Sequence, residues 1–556
     1  MRQIFNNKIL NGQSRTITGA AMILAMASIA SRLLGLLRDR MLAGSFGAGD
    51  TLDIYYAAFR VPDLVYNLLI MGALSAGFIP VFVALWPARQ QPEPQAMAGG
   101  EKNHGELKAE WQFVNSLTNI LLAALLILGG LFFIFAPELI KLITPGFSVE
   151  KMALTVLLTR IMFLSPLLLG LSSVFGGILQ SAKRFLIFSL TPIFYNLGII
   201  FGILFLVPRW GAPGLAWGVA LGAALHMIIQ LPAVRHLGWR WRPLFNWRDE
   251  NILCLARLMG PRTLTLAISQ LNFLAITIVA STLAAGSLAI FNLAYNIWTF
   301  PLGVMAASLA TAVFPNLSEN AARRDWSGFA RNFSATFRHI LFLIIPFSVL
   351  LIVLRAQIVR VILGTGKFGW SDTILTINAL QYLTLGLLAE ALMLLLVRGF
   401  FALEDTKTPF WLGLAGSILR IGGAWLLMAP LGVGGLALGW ALGGIFNMIL
   451  LWFFLEKRVQ DLRFGEILTS GLKILLASFL AGAGAWWLLR LADNFVDTRT
   501  FGGLLTQGLI AGGAGLAIYL LAAAVLGVSE IKSLWQMVKN RLSFKNGAAT
   551  DELIQH

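Results

Sequence analysis

The sequence predicts an all-α polytopic membrane protein with about 14 transmembrane helices: two pseudo-symmetric six-helix bundles plus two C-terminal helices. Three observations carry that prediction. Apolar stretches of about 20 residues or more, each enough to cross a hydrocarbon core of roughly 30 Å, recur from Thr16 to Val528. Charged residues make up 12% of the 556-residue chain, about half the share of an ordinary soluble domain. One stretch of the first half also repeats in the second without a gap.

The spans fall near 17–37, 53–86, 112–135, 153–181, 185–207, 213–234, 252–282, 288–316, 333–363, 372–403, 408–429, 433–455, 465–491 and 502–527. A net charge of +16 in so apolar a chain follows the positive-inside rule rather than nucleic-acid binding. Arg2, Lys8 and Arg15, then Arg89, Lys102 and Lys108, the Arg235/Arg240/Arg242/Arg248 loop, the Arg323/Arg324/Arg331 loop, Lys457/Arg458/Arg463 and the C-terminal tail all fall on one side by parity. Opposite loops such as Ala284–Ser287 and Pro430–Gly432 carry no cations. Both termini are therefore expected in the cytoplasm, with an even number of spans. A cleaved leader ending at "AMASIAS" (Ala25–Ser31) is disfavoured, since apolar character continues past it and its removal upsets the parity.

The repeat pairs "WGAPGLAWGVALGAALHMIIQ" (210–230) with "LGVGGLALGWALGGIFNMILL" (431–451). Gly214, Gly218 and Gly222 match Gly435, Gly439 and Gly443, a G-x-x-x-G ladder that keeps one helix face bare for a neighbouring backbone. "GALSAGFIP" (72–80) and "ASLATAVFP" (307–315) repeat in the same order. The copies lie six spans apart, so they share an orientation, as in parallel-repeat transporters whose site opens alternately to each side. The resulting division is 1–16 N-terminal tail, 17–236 first lobe with a flexible cytoplasmic insertion at 87–110, 237–456 second lobe, 457–528 two added spans, and 529–556 C-terminal tail. In that tail, "EIKSLWQMVKNRL" reads as a short surface helix or as plain solvated chain.

No enzyme constellation is legible. The five histidines are scattered, the lone Cys254 gives no metal signature, and "GVGGLA" (Gly432–Ala437) opens a span rather than following a soluble strand. No catalytic residue, cofactor or metal is expected. Coupling to the membrane potential or to a monovalent ion is feasible, with Asp53, Glu390 and Asp405 as the places to look.

What remains is charge inside the membrane, which costs several kcal/mol and is retained for a reason. "SRLLGLLRDR" (Ser31–Arg40) puts Arg32 and Arg38 about 9 Å apart in height on one helix, with Asp39 beside them, and Asp53 and Arg60 follow on the next. Arginine suits an anionic phosphate or pyrophosphate, because its planar fork donates in pairs and its charge is not lost. The competing reading is that Arg–Asp pairs neutralise one another and pin the two helices. Arg262, Glu390 and Arg420 are further buried-charge candidates. Asp405 and Lys407, in "LEDTKTP", are read as lining a cavity or as capping that turn.

The stretches "ASRLLGLLRDRMLAGSFGAGDTLDIYYAAFRVPDL", "GALSAGFIPVF", "FPLGVMAASLATAVFPNLSE", "GTGKFG" and "GFFALEDTKTPF" resemble the MurJ/MviN family. Its members are lipid II flippases of the multidrug/oligosaccharidyl-lipid/polysaccharide exporter superfamily. The resemblance implies a two-lobed flippase that carries an undecaprenyl-pyrophosphate-linked peptidoglycan precursor to the outer leaflet. It implies, in a bacterial inner membrane, a cationic cavity in which Arg32, Arg38 and Arg60, with Ser31 beside them, meet the headgroup, supported by Asp39 and Asp53, and a groove involving spans 13 and 14 for the polyprenyl tail; Arg262, where the family is usually uncharged, is read as a compensating cavity charge. Expected partners are lipid II, membrane lipids and cell-wall synthesis proteins, with no nucleic acid. Three positions depart from the family's usual charges: Tyr66, Met71 and Asn296 are neutral. That departure keeps two alternatives open, another polyprenyl-linked oligosaccharide as cargo, or a transport-inactive scaffold for cell-wall enzymes.

Overall fold

A computed structural model describes residues 17–71, 77–86 and 108–531. The N-terminal tail, most of the 87–110 insertion and the C-terminal tail beyond Ile531 lie outside the described residues. Among those described there are helices and no strands. The chain divides into two compact units: the chain up to Asn292 with Thr365–Gly369, and Leu293–Gly364 with Trp370 onward. This division follows packing, whereas lobes at 17–236 and 237–456 follow the internal repeat.

Among the described residues ten helices are long and apolar enough to cross a membrane, or eleven if Trp370–Leu385 and Leu387–Ala402, bent by 40°, form one span. Three helices at the positions expected for spans one, two and seven stand outside that set. The first carries Arg32, Arg38, Asp39 and Arg40; the second is interrupted by residues not described; in the third the apolar stretch among the described residues is the shorter Leu266–Ser281. Large apolar side chains such as Ile127 (71% exposed) and Val525 (87%) face outward, which suits acyl chains and would be a liability in water.

In the first unit α1 is Ile17–Phe46, α2 Asp50–Tyr66 and α3 Ile79–Leu85. A π-turn, Asn67–Met71, continues α2. Next come α4 (Ala109–Ile134), α5 (Ala136–Ile143), α6 (Val149–Met162), α7 (Leu164–Ser181) and α8 (Phe185–Phe201). The unit closes with α9 (Pro213–Ile228), α10 (Leu231–His236), α11 (Glu250–Ser281) and the start of α12 (Ser287–Pro301). Its core stacks Phe78 on Phe82 and Phe113, with Val174 and Ile178 of α7 in the same cluster.

The second unit continues with α13 (Ala307–Ala322), α14 (Trp326–Val353), α15 (Arg355–Leu363), α16 (Trp370–Leu385) and α17 (Leu387–Ala402). It ends with α18 (Lys407–Leu431), α19 (Val433–Val459), α20 (Phe464–Ala492) and α21 (Phe501–Val525).

The glycine ladders do the same job in both units. A Cβ on Gly218 of α9 would stand 2.8 Å from the Cα of Gly202, in the turn that continues α8. A Cβ on Gly439 of α19 would stand 2.2 Å from the Ala424 amide nitrogen of α18. In each copy only hydrogen fits between two helix backbones, so the sequence repeat is also a repeat of packing.

Candidate functional site

On α1, Arg38 donates from Nε (3.0 Å) and a terminal nitrogen (2.8 Å) to Asp39 Oδ1. Its other terminal nitrogen donates to Asn196 Oδ1 of α8 at 3.2 Å. Asn196 makes longer contacts to the Ser31 carbonyl (3.4 Å) and hydroxyl (3.5 Å), which ties Ser31 and Arg38, two turns apart, to one partner. Asp39 is 3% exposed at its side chain while Arg38 retains 21%, so the arginine is the less enclosed member of the pair. Arg32 is half-buried and has no ion pair or hydrogen bond among the described residues.

Arg60 is held differently. Its Nε donates to Thr277 Oγ1 (2.8 Å) and a terminal nitrogen to Asn292 Oδ1 (2.7 Å), with the Phe273 ring 5.2 Å away. It therefore clasps α2 to α11 and α12. Asp63, three residues on along α2, is a further half-buried carboxylate that sequence reasoning did not single out.

Asp53 does not brace an arginine. It is 2% exposed and accepts from Lys151 Nζ (2.9 Å) and from the backbone amides of Gly286 (2.8 Å) and Ala289 (2.9 Å). The carboxylate thus caps the positive N-terminus of α12, and Lys151, also paired to Asp50 at 2.6 Å, completes the cluster. Of the two aspartates expected to support the arginines, Asp39 does so and Asp53 serves a helix end. Lys151 was invisible as a partner because 98 residues separate it from Asp53.

The neutral family positions find local uses. Tyr66 shares a 3.1 Å hydrogen bond with Ser173. Asn296 is half-buried on α12. The side chains of Arg262 and Met71 lie outside the described residues. Sequence reasoning also passed over a polar knot in the first unit, where Ser172 Oγ stands 2.6 Å from His226 Nδ1 and Gln230 Nε2 donates to the same oxygen at 2.5 Å.

In the second unit Arg420 of α18 and Glu390 of α17 form a close ion pair, with the Trp440 ring of α19 4.0 Å from the guanidinium. The two side chains are 10% and 18% exposed. Asp405 caps α18: its carboxylate accepts from the Thr408 hydroxyl (2.7 Å) and amide (2.9 Å) and from the Lys407 amide (3.1 Å). Burial opposes the charge, yet the Thr408 bonds and Arg458 hold this carboxyl below the usual carboxylate range. An apolar groove of about 430 Å³ runs between α14, α17, α19 and α20, lined by Phe337, Leu341, Leu392, Trp452, Leu468 and Leu472. Of the two spans expected at a tail groove, α20 contributes to it and α21 does not.

The arginine-bearing α1, the glycine ladders and this groove fit the expected flippase, and the comparisons decide it. The sequence model of the lipid II flippase MurJ family matches residues 42–502. The chain belongs to that family. A probable lipid II flippase MurJ of Vibrio cholerae is 28% identical over 522 residues, covering 93% of this chain and 97% of that protein. One of Buchnera aphidicola from Acyrthosiphon pisum is 30% identical over 390 residues, covering 69% and 73%. Among solved structures, a lipid II flippase MurJ in an inward closed conformation superposes with a TM-score of 0.73 at 26% identity, over 92% of this chain and all of that one. A multidrug transporter of the wider MOP superfamily, in an inward-facing conformation, shares the fold at 16% identity with a TM-score of 0.63. The chain is thus a multi-pass membrane protein of a transporter family.

Proposed function

We propose that this MurJ family member moves a polyprenyl-pyrophosphate-linked peptidoglycan precursor from the cytoplasmic to the outer leaflet by alternating access, with both termini in the cytoplasm. Arg32 and Arg38 receive the anionic headgroup, and Asp39 with Asn196 keeps the Arg38 fork oriented while the site is empty. The apolar groove along α20 takes the polyprenyl chain. Arg60 orders α2 against α11 and α12.

One observation carries the assignment of the headgroup site. Arg32, in an apolar span where an unpaired charge is costly, has no carboxylate beside it among the described residues, so a phosphate oxygen supplies the missing acceptor. Arg38, with 21% of its side chain exposed, is the second donor for the same chemistry. Each charge-assisted hydrogen bond to a phosphate contributes about 1.5–3 kcal/mol, which is enough to order a headgroup.

The test is complementation in a bacterium depleted of its own lipid II flippase. The parent chain should restore growth, and Arg38→Ala, expressed at parental level, should not. Restoration by both would remove Arg38 from the transport step.

A further inference from the structure

The segment between α10 and α11, "LGWRWRPLFNWRDE" (Leu237–Glu250), is not among the residues assigned above to the headgroup site. Gly238, at φ +104°, turns the chain off α10 in a conformation that side-chain-bearing residues avoid. Trp239 is 5% exposed and packs edge-on against Phe175, which roots the segment in the first unit. Two buried asparagines of α4 then grip its backbone. Asn115 donates to the Arg240 carbonyl (3.1 Å) and accepts from the Arg242 amide (3.0 Å). Asn119 donates to the carbonyls of Arg242 (2.7 Å) and Leu244 (2.9 Å) and accepts from the Trp241 indole nitrogen (3.0 Å).

What this held backbone displays is outward and of one kind. Trp241, Phe245 and Trp247 are 57%, 60% and 63% exposed. Arg240, Arg242 and Arg248 are exposed between them, and Arg248 lies 4.8 Å over the Trp247 ring. Fixed aromatics in water with no cover are costly; beside lipid they are the usual furniture of the membrane–water boundary.

The depth agrees. The 26 residues of α4 span about 39 Å at 1.5 Å each, some 9 Å more than a hydrocarbon core of about 30 Å. Asn115 stands about 9 Å from the start of α4, where hydrocarbon gives way to headgroups if the surplus lies at that end. Exposed arginines on the gripped segment require the surplus there, since none of them can sit in hydrocarbon.

We infer that the Leu237–Glu250 segment is a docking edge for anionic phospholipid headgroups of the adjoining leaflet, which by the charge asymmetry of the loops is the cytoplasmic one. The arginines take the phosphates and the indoles seat at the carbonyl level. The bilayer lipid, rather than an acidic protein, fits because exposed aromatic side chains and guanidinium groups are interspersed along this one short segment.

The chain's single cysteine, Cys254, is exposed one turn into α11, beside this segment, and can carry a fluorophore without any engineering. The full-length labelled protein would be placed in phosphatidylcholine nanodiscs containing a small fraction of lipid with a quencher high on its acyl chain, either phosphatidylglycerol or phosphatidylcholine. Phosphatidylglycerol should quench with an apparent preference of about fivefold or more. That preference should fall toward one in about 1 M salt, where screening acts within about 3 Å, and in R240Q/R242Q/R248Q. The salt series uses the parent protein, so a misfolded variant cannot decide the result. Equal quenching by both lipids, or a preference that salt leaves intact, overturns the proposal. A polyprenyl pyrophosphate that displaces phosphatidylglycerol at equal mole fraction would assign the edge to the transported lipid instead and overturn it too.

Discussion

Arg38 in the first unit and Arg420 in the second are both arginines set in apolar helices, and their surroundings differ in kind. Arg420 is closed in by Glu390 from another helix and by the Trp440 ring, with 10% of its side chain exposed. Arg38 leans on its sequence neighbour Asp39 and an amide, keeps 21% exposed, and shares α1 with Arg32, which has no ion pair among the described residues. The second arrangement is a neutral staple across α17 and α18; the first is a charge kept available. The internal repeat sharpens the point, because the position matching Arg420 in the first copy is Ile199, 1% exposed. Similar glycine packing therefore accommodates either a hydrocarbon or an ion pair at this position.

If Arg420 is a staple, removing its partner should be the most damaging change. Glu390→Ala leaves a buried guanidinium uncompensated, at a cost of about 3–5 kcal/mol, read as a large fall in the melting temperature of the purified protein. Glu390→Leu with Arg420→Met should recover most of that loss. Asp39→Ala, beside a partly exposed arginine that retains Asn196, should cost distinctly less. Equal losses at both sites would erase the contrast.

The packing half of the comparison is tested by Gly218→Leu and Gly439→Leu. Each forces a side chain into a helix–helix contact with no room, and each should destabilise by about 3 kcal/mol whether or not a charge stands nearby. A marked inequality, measured by thermal unfolding in detergent, would show that the two copies are packed differently despite their matched sequence.

The smallest effect concerns pH. The Asp405 carboxyl is held below the usual carboxylate range by its Thr408 bonds and Arg458, so its stabilisation is complete above an unfolded value of about 3.9. It is lost as pH falls through the lowered folded value. A melting-temperature series from pH 6 to about 3 should steepen at its acidic end, and Asp405→Asn should remove that part of the slope. A variant with the parental slope would show the cap to be energetically silent.

The helical spans and the glycine ladders were legible in the sequence because hydropathy and four-residue spacing are local signals that survive folding. The Arg38–Asp39 pair was legible for the same reason. Asp53 was misread as an arginine's brace because its partners are a lysine 98 residues away and amides of a helix that starts 234 residues on. Arg60 likewise depends on Thr277 and Asn292, over 200 residues distant. The grip of Asn115 and Asn119 on the Leu237–Glu250 segment joins backbone to side chains over 120 residues, which no periodicity reports.

The most direct test of the account is binding of lipid II to the intact protein in nanodiscs, comparing the parent with Arg32→Ala. Arg32 touches no described partner, so its removal should leave the melting temperature unchanged while weakening lipid II by about 10- to 100-fold, the loss of one charge-assisted contact. Unchanged affinity for lipid II would contradict the claim that the unpaired arginine of α1 is there to meet the headgroup.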